Sequence, residues 1–170
     1  MSAGLPDLPG DLAGPLVPLA WMLGSWAGAG VGDYPTIEPF RFGQEMDFGY
    51  LPGKPYLLYE SRSFLIDGEG EIGDPLATES GYWRPQPDNE VEVLMAHPMG
   101  IAEIWIGEIT ERRVELRTDA VVRTASAKPY TAGHRLYGHI DGGDLGYVFE
   151  MAAMGQPLQP HLSAQLKRVT

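Results

Sequence analysis

The sequence predicts an all-β fold: a closed antiparallel β-barrel of about ten strands with a short N-terminal helical turn. Three observations carry that expectation. Short runs rich in β-branched and aromatic residues recur along most of the chain, several of them alternate apolar with polar residues at period two, and clusters of Gly, Pro, Asn and Asp punctuate the joins. The 170 residues include 22 Gly and 15 Pro, together roughly 22%, nearly double ordinary usage. Turns are therefore dense, and long helices have little room.

Residues 12–23 have space for one or two helical turns between their prolines. Strand-like runs follow at 40–50, 56–66, 77–84, 90–97, 101–109, 114–118, 121–126, 134–140, 145–154 and 162–169. Between them stand turn sequences such as Pro52-Gly53, Asp67-Gly68, Pro87-Asp88-Asn89, Pro98-Met99-Gly100 and Asp141-Gly142-Gly143-Asp144. Alternation assigns faces: Leu145, Tyr147, Phe149, Met151 and Ala153 share one side of their strand, and Val91, Val93, Met95 and His97 share one side of theirs. Closure into a barrel removes the exposed edges that so many short antiparallel strands would otherwise leave, and such a barrel can hold one ligand.

Composition excludes several classes. Without Cys there is no disulfide framework, thiolate metal site, iron–sulfur cluster or Cys nucleophile. A net charge of -11, with 23 acidic against 12 basic side chains, argues against nucleic acid and anionic membrane surfaces, which need clusters of Lys and Arg. Residues 12–32 carry no charge, but prolines and glycines interrupt them and no basic residue precedes Arg41, so they suit neither a membrane helix nor a secretory signal. The expectation is a soluble, cytoplasmic protein: a flexible lead-in over residues 1–12 and a single barrel domain over 13–170.

Local enzyme motifs are missing, and no pair of carboxylates stands out for acid–base chemistry. The acidic stretch Asp67-Gly68-Glu69-Gly70-Glu71 lacks the Gly and Glu that a calcium loop needs further on and reads as an exposed turn. The four histidines, His97, His134, His139 and His161, are the candidates for a transition metal or haem iron. His134 and His139 fall on opposite faces of one strand. Parity sets His161 opposite the apolar Leu162, Ala164 and Leu166, leaving two readings: a solvent-facing histidine, or one re-aimed into the cavity by the turn Gly155-Gln156-Pro157-Leu158-Gln159-Pro160.

Gly24-Ser25-Trp26-Ala27-Gly28-Ala29-Gly30, followed by Tyr34-Pro35-Thr36-Ile37, resembles the Gly-x-Trp-x-Gly-x-Gly signature of the nitrobindin family, haem-binding β-barrels related in shape to fatty-acid-binding proteins and lipocalins. The likeness continues through Ser80-Gly81-Tyr82-Trp83-Arg84, Ala96-His97-Pro98-Met99-Gly100-Ile101, Thr124-Ala125-Ser126-Ala127-Lys128 and Met154 to Leu162. It implies haem b in one open end of a ten-stranded barrel, with His161 as the axial iron ligand and so the catalytic residue. Lys128 matches a haem-contacting position suited to a propionate. Thr36 either donates to a haem carboxylate or caps its loop, and Trp26 packs the floor beside the glycines Gly24, Gly28 and Gly30. His97 falls on the distal side, where it approaches the iron, gates the ligand or hydrogen-bonds a bound oxygen. Met95, Met99, Met151 and Met154 suit the lining. The implied activity is isomerisation of peroxynitrite to nitrate by ferric haem, together with nitric oxide binding, and a homodimer is compatible with the family. The alternative from another class is a non-catalytic carrier or sensor for a hydrophobic small molecule such as a fatty acid.

Overall fold

Proline decides how the ordered chain begins. Pro15 occupies the start of a helix, where its missing N–H matters least, and Pro18 falls within it, so the segment Gly14–Met22 winds as a 3₁₀ helix. This and the following description come from a computed structural model that describes residues 7–140 and 142–169. The expected lead-in lies in part outside the described residues. Where it is described, Asp11 accepts from the Tyr50 hydroxyl at 2.6 Å and its carbonyl accepts from the Gly53 N–H.

Ten strands follow: β1 (Gly24–Tyr34), β2 (Ile37–Tyr50), β3 (Leu57–Ile66), β4 (Ile72–Pro85), β5 (Glu90–His97), β6 (Ile101–Thr110), β7 (Arg113–Arg123), β8 (Tyr130–Ile140), β9 (Asp144–Ala153) and β10 (Gln159–Arg168). Each pairs antiparallel with the next, and β1 pairs with β10 to close the barrel. The number matches the sequence expectation through two offsetting differences. β1 carries too few branched residues to be seen as a strand from its pattern. Conversely, the runs 114–118 and 121–126 are parts of one strand, β7, with Asp119 absorbed at a register shift where Trp105 pairs with Thr118 and Ile104 with Ala120.

Side-chain parity fills the interior. On β9, Leu145, Tyr147, Phe149 and Ala153 are buried while Val148 is exposed, and on β5 Val91, Val93 and Met95 point into the core. Met95 belongs to that core, away from the cavity described below. The glycines of β1 serve close approach: a Cβ on Gly28 would lie 2.1 Å from the Gln165 carbonyl oxygen, and one on Gly30 would lie 2.3 Å from that of Ser163. The bare strand lets β10 seat against it.

An up-and-down barrel sorts its turns by parity. All turns from odd to even strands gather at one end, all turns from even to odd strands at the other. The 3₁₀ helix closes the second end, where β1 starts, with Leu16, Leu19, Trp21 and Met22 buried. Trp26 belongs to this floor: its indole N–H donates to the Met22 carbonyl at 2.9 Å and the Arg168 guanidinium lies 4.2 Å from its ring. No helix among the described residues is long and apolar enough to cross a membrane. Asp67 caps its own turn by accepting the N–H groups of Glu69 and Glu71.

Candidate functional site

The open end collects the turns β1–β2, β5–β6, β7–β8 and β9–β10, and these carry Thr36, Met99, Lys128 and Met154 respectively, with His97 closing β5 and His161 near the start of β10. The topology thus assembles residues separated by up to 125 positions in sequence.

His161 owes its direction to a β-bulge. Against β9, Pro160 pairs with Glu150 and Leu162 with Phe149, which leaves His161 as the extra residue. Pro160 has no N–H to give the ladder, so pairing slips there, and a bulged residue can be re-aimed out of strict alternation. The imidazole packs edge-on against Tyr34, Phe40 and Phe149, with ring centres 5.4, 6.3 and 5.8 Å away. Tyr34 is itself fixed, donating to the Met151 carbonyl at 2.9 Å and accepting from the Ala153 N–H at 3.0 Å. Of the two readings open from parity, re-aiming toward the cavity is the geometry found.

The ring's chemistry is set by one hydrogen bond. Nδ1 lies 3.1 Å from the main-chain carbonyl oxygen of Asp33, an acceptor, so Nδ1 carries the proton and Nε2 keeps its lone pair. Burial lowers the His161 pKa from its ordinary value, outweighing the opposite pull of the Asp33 carbonyl. That shift favours the neutral ring. Its partner is a main-chain carbonyl and not a carboxylate, so the donor basicity of Nε2 stays modest.

Two adjoining lobes of about 330 Å³ each meet at His161. One is lined by Ile37, Met99, Met151, Met154 and Leu162 together with Thr36, His97 and Lys128. The other extends past Phe40, Phe42 and Leu76 to Gln44 and Ser61. Lys128 lines both, and its ammonium makes no ion pair among the described residues. Two larger hollows, of about 670 and 820 Å³, lie outside the lobes: the first borders exposed residues such as Tyr82, Leu94 and Val122, and the second reaches His161 from the side of Asp33, Arg41 and Pro160.

Beneath the lobes lies a cluster that sequence reasoning missed. Glu79 of β4 holds the Arg135 guanidinium of β8 through two hydrogen bonds, the longer at 2.9 Å, and accepts from the Tyr59 hydroxyl at 2.6 Å. Burial opposes ionisation of Glu79, but Arg135, His97 and the Tyr59 hydroxyl hold its carboxyl at about 2. Arg135 also stacks against Phe149 and Trp105, at 4.6 and 5.0 Å. His97 sits between two carboxylates: its Nε2 faces Glu103 of β6, which also accepts from the Tyr130 hydroxyl, and its Nδ1 lies 3.6 Å from Glu79. Two carboxylates, Glu79 and Glu103, thus meet at His97, a juxtaposition that the sequence did not reveal. The signal was parity: Glu103 shares a face with Trp105, and Arg135 with Tyr137.

These residues fit a haem. One imidazole pinned at Nδ1 leaves Nε2 without a partner among the described residues, the walls are aliphatic, aromatic and thioether, and the lining includes Lys128 and Thr36, residue types suited to meeting carboxylates. The lobes fall within the ordinary range of about 300–1,000 Å³ for ligand pockets.

Comparison with known proteins agrees with this geometry. A family model described as "THAP4-like, heme-binding beta-barrel domain" matches residues 15–168. The chain is 51% identical over 162 residues to a peroxynitrite isomerase of Nocardioides sp., covering 95% of this chain and 98% of that protein. It is 47% identical over 165 residues to a ferric nitrobindin-like protein of Streptomyces griseus, covering 96% and 86%. The crystal structure of Rv2717c from M. tuberculosis superposes with a TM-score of 0.84 at 42% identity, covering 94% of this chain and 100% of that one.

Proposed function

Because the chain belongs to the THAP4-like, heme-binding beta-barrel family, we propose that it is a peroxynitrite isomerase: it holds ferric haem b through His161, converts peroxynitrite to nitrate and binds nitric oxide. The observation that carries this reading is the bulged His161, which lines both lobes with Nδ1 committed to Asp33 and Nε2 without a partner among the described residues. The named relatives support the reaction class. We place the protein in the cytoplasm as a soluble barrel.

Bound haem supplies the iron at which peroxynitrite rearranges. The chain's own residues do the rest. His161 would hold the iron through Nε2, and its main-chain partner at Nδ1 would keep that nitrogen from becoming strongly basic. Thr36 and Lys128 would meet the carboxylates of the bound group. Phe149 and Met151, in the wall of the first lobe, would screen the bound group from bulk water. Lys128 also supplies positive charge at the mouth, where a surface of net charge -11 would otherwise repel an anionic substrate.

The carrier reading is less well supported for a specific reason. A fatty-acid carboxylate deep in the barrel would meet no unpaired cation there, since the buried Arg135 is neutralised by Glu79 and the unpaired Lys128 sits exposed at the rim.

The test is a haemin titration of the purified protein followed by absorbance, then stopped-flow decay of peroxynitrite with nitrate assayed as product. A sharpened, shifted Soret band and faster nitrate formation are expected, both lost in His161→Ala. Haem uptake without faster nitrate formation would overturn the catalytic reading and leave a haem carrier or sensor.

A further inference from the structure

His97 and His161 line the same lobe, of about 330 Å³. Two imidazoles facing one cavity ordinarily threaten a haem site with double ligation, in which the second ring occupies the position the substrate needs. We propose that Glu103 is a positioning residue that latches His97 against the wall and so keeps the sixth coordination position open; this rests on the haem reading above.

The latch is built from hydrogen bonds whose directions follow from the groups involved. Glu103 is a buried carboxylate on β6, its side chain 1% exposed, and it accepts from the Tyr130 hydroxyl. His97 ends β5 opposite Ile101, so Glu103, two residues beyond Ile101, lies within its reach. Nε2 of His97 faces Glu103 Oε1. An ionised carboxylate only accepts, so that nitrogen carries the proton and has no lone pair for a metal. The other nitrogen, Nδ1, is directed at Glu79 Oε2 at 3.6 Å. Glu79 cannot yield, because two hydrogen bonds from Arg135 and one from Tyr59 anchor it. The ring is thus held at Nε2 by Glu103 with Nδ1 toward Glu79 at 3.6 Å, beyond hydrogen-bond distance, whereas Nε2 of His161 has no partner among the described residues. The two histidines are distinguished by what their nitrogens already hold.

Taking away Glu103 frees Nε2, and rotation about the side-chain bonds then lets His97 turn into the lobe it already lines. The experiment uses haem-reconstituted protein and reads the ferric spin state by absorption and electron paramagnetic resonance. Wild type is expected to be predominantly high-spin, and His97→Ala is expected to leave that unchanged. Glu103→Ala is expected to convert most of the haem to a low-spin, bis-imidazole form, and Glu103→Ala with His97→Ala to restore the high-spin signal. A Glu103→Ala protein that stays high-spin overturns the latch. So does a low-spin wild type that becomes high-spin on His97→Ala, which would mean that His97 already ligates; this comparison does not depend on Glu103→Ala folding. No haem uptake by wild type would remove the haem reading and the latch together, whereas uptake with an unmoved spin state removes the latch alone.

Discussion

Consider the exchange of Glu79 for Gln, which removes one charge from the interior and changes almost no volume. Arg135 is 5% exposed, so its guanidinium cannot turn to water when its partner is neutralised. Breaking a buried pair on one side costs about 3–5 kcal/mol, a large part of the roughly 5–15 kcal/mol that holds a domain together. A second route gives the same scale. The Glu79 carboxyl falls from an ordinary 4.5 to about 2, equivalent to about 3 kcal/mol. Because the folded-state value is depressed, this contribution is complete above pH 4.5 and is lost as pH falls through about 2; about 2 kcal/mol of it is gone by pH 3. Urea titrations of the haem-free barrel, followed by tryptophan fluorescence at pH 7 and pH 3, measure both quantities. Glu79→Gln is expected to lower the midpoint at pH 7 with an unchanged slope, and its gap from wild type is expected to narrow at pH 3. Replacing Glu79 and Arg135 together by Met should cost less than Glu79→Gln alone, since no orphaned charge remains. A pH 7 gap below about 1 kcal/mol, or one that does not narrow at pH 3, would refute the argument that a paired buried charge braces the barrel.

Other expectations follow from the site and its supports. His161→Ala should weaken haemin uptake by more than the roughly 10–100-fold that loss of an outer hydrogen-bond partner costs a metal site, read by Soret titration. Because burial lowers the His161 pKa, haemin affinity should persist to lower pH than an ordinary imidazole would allow before protons compete for Nε2; a spectrophotometric series from pH 8 to 5 shows this, and a decline centred above the ordinary imidazole range would contradict it. Gly30→Val should open the β1–β10 pairing, since its Cβ would meet the Ser163 carbonyl at 2.3 Å, and a loss of about 1–3 kcal/mol or more is expected in thermal unfolding. Arg168→Ala removes the cation over Trp26 and the 2.9 Å bond to the Trp21 carbonyl, for an expected loss of about 1–2 kcal/mol by the same measurement.

The barrel was legible because tight turns and period-two alternation are local signals. β1 was not legible as a strand by pattern: its glycines exist for what approaches them, and that neighbour, β10, is far away in sequence. β6 actively misleads, since Ile104 and Ile106 face outward while Glu103 faces in. For the site, the sequence marked His161, Lys128, Thr36 and His97, and the prolines before His161 hinted at its re-aiming. The direction itself depends on a slip in pairing with β9, which no local pattern encodes. Glu79, Glu103 and Arg135 come from three strands, and their meeting is a property of closure.

The pairing of Trp26 with Arg168 has one more result. It brings the two flanks of the barrel together at the floor, beside the 3₁₀ plug and a strand length, roughly 30 Å, from the mouth. A tag, a surface tether or a second domain joined at either flank therefore emerges behind the cavity. Such attachments can hold the protein in place, or carry it elsewhere, while ligand exchange at the far end goes on unobstructed.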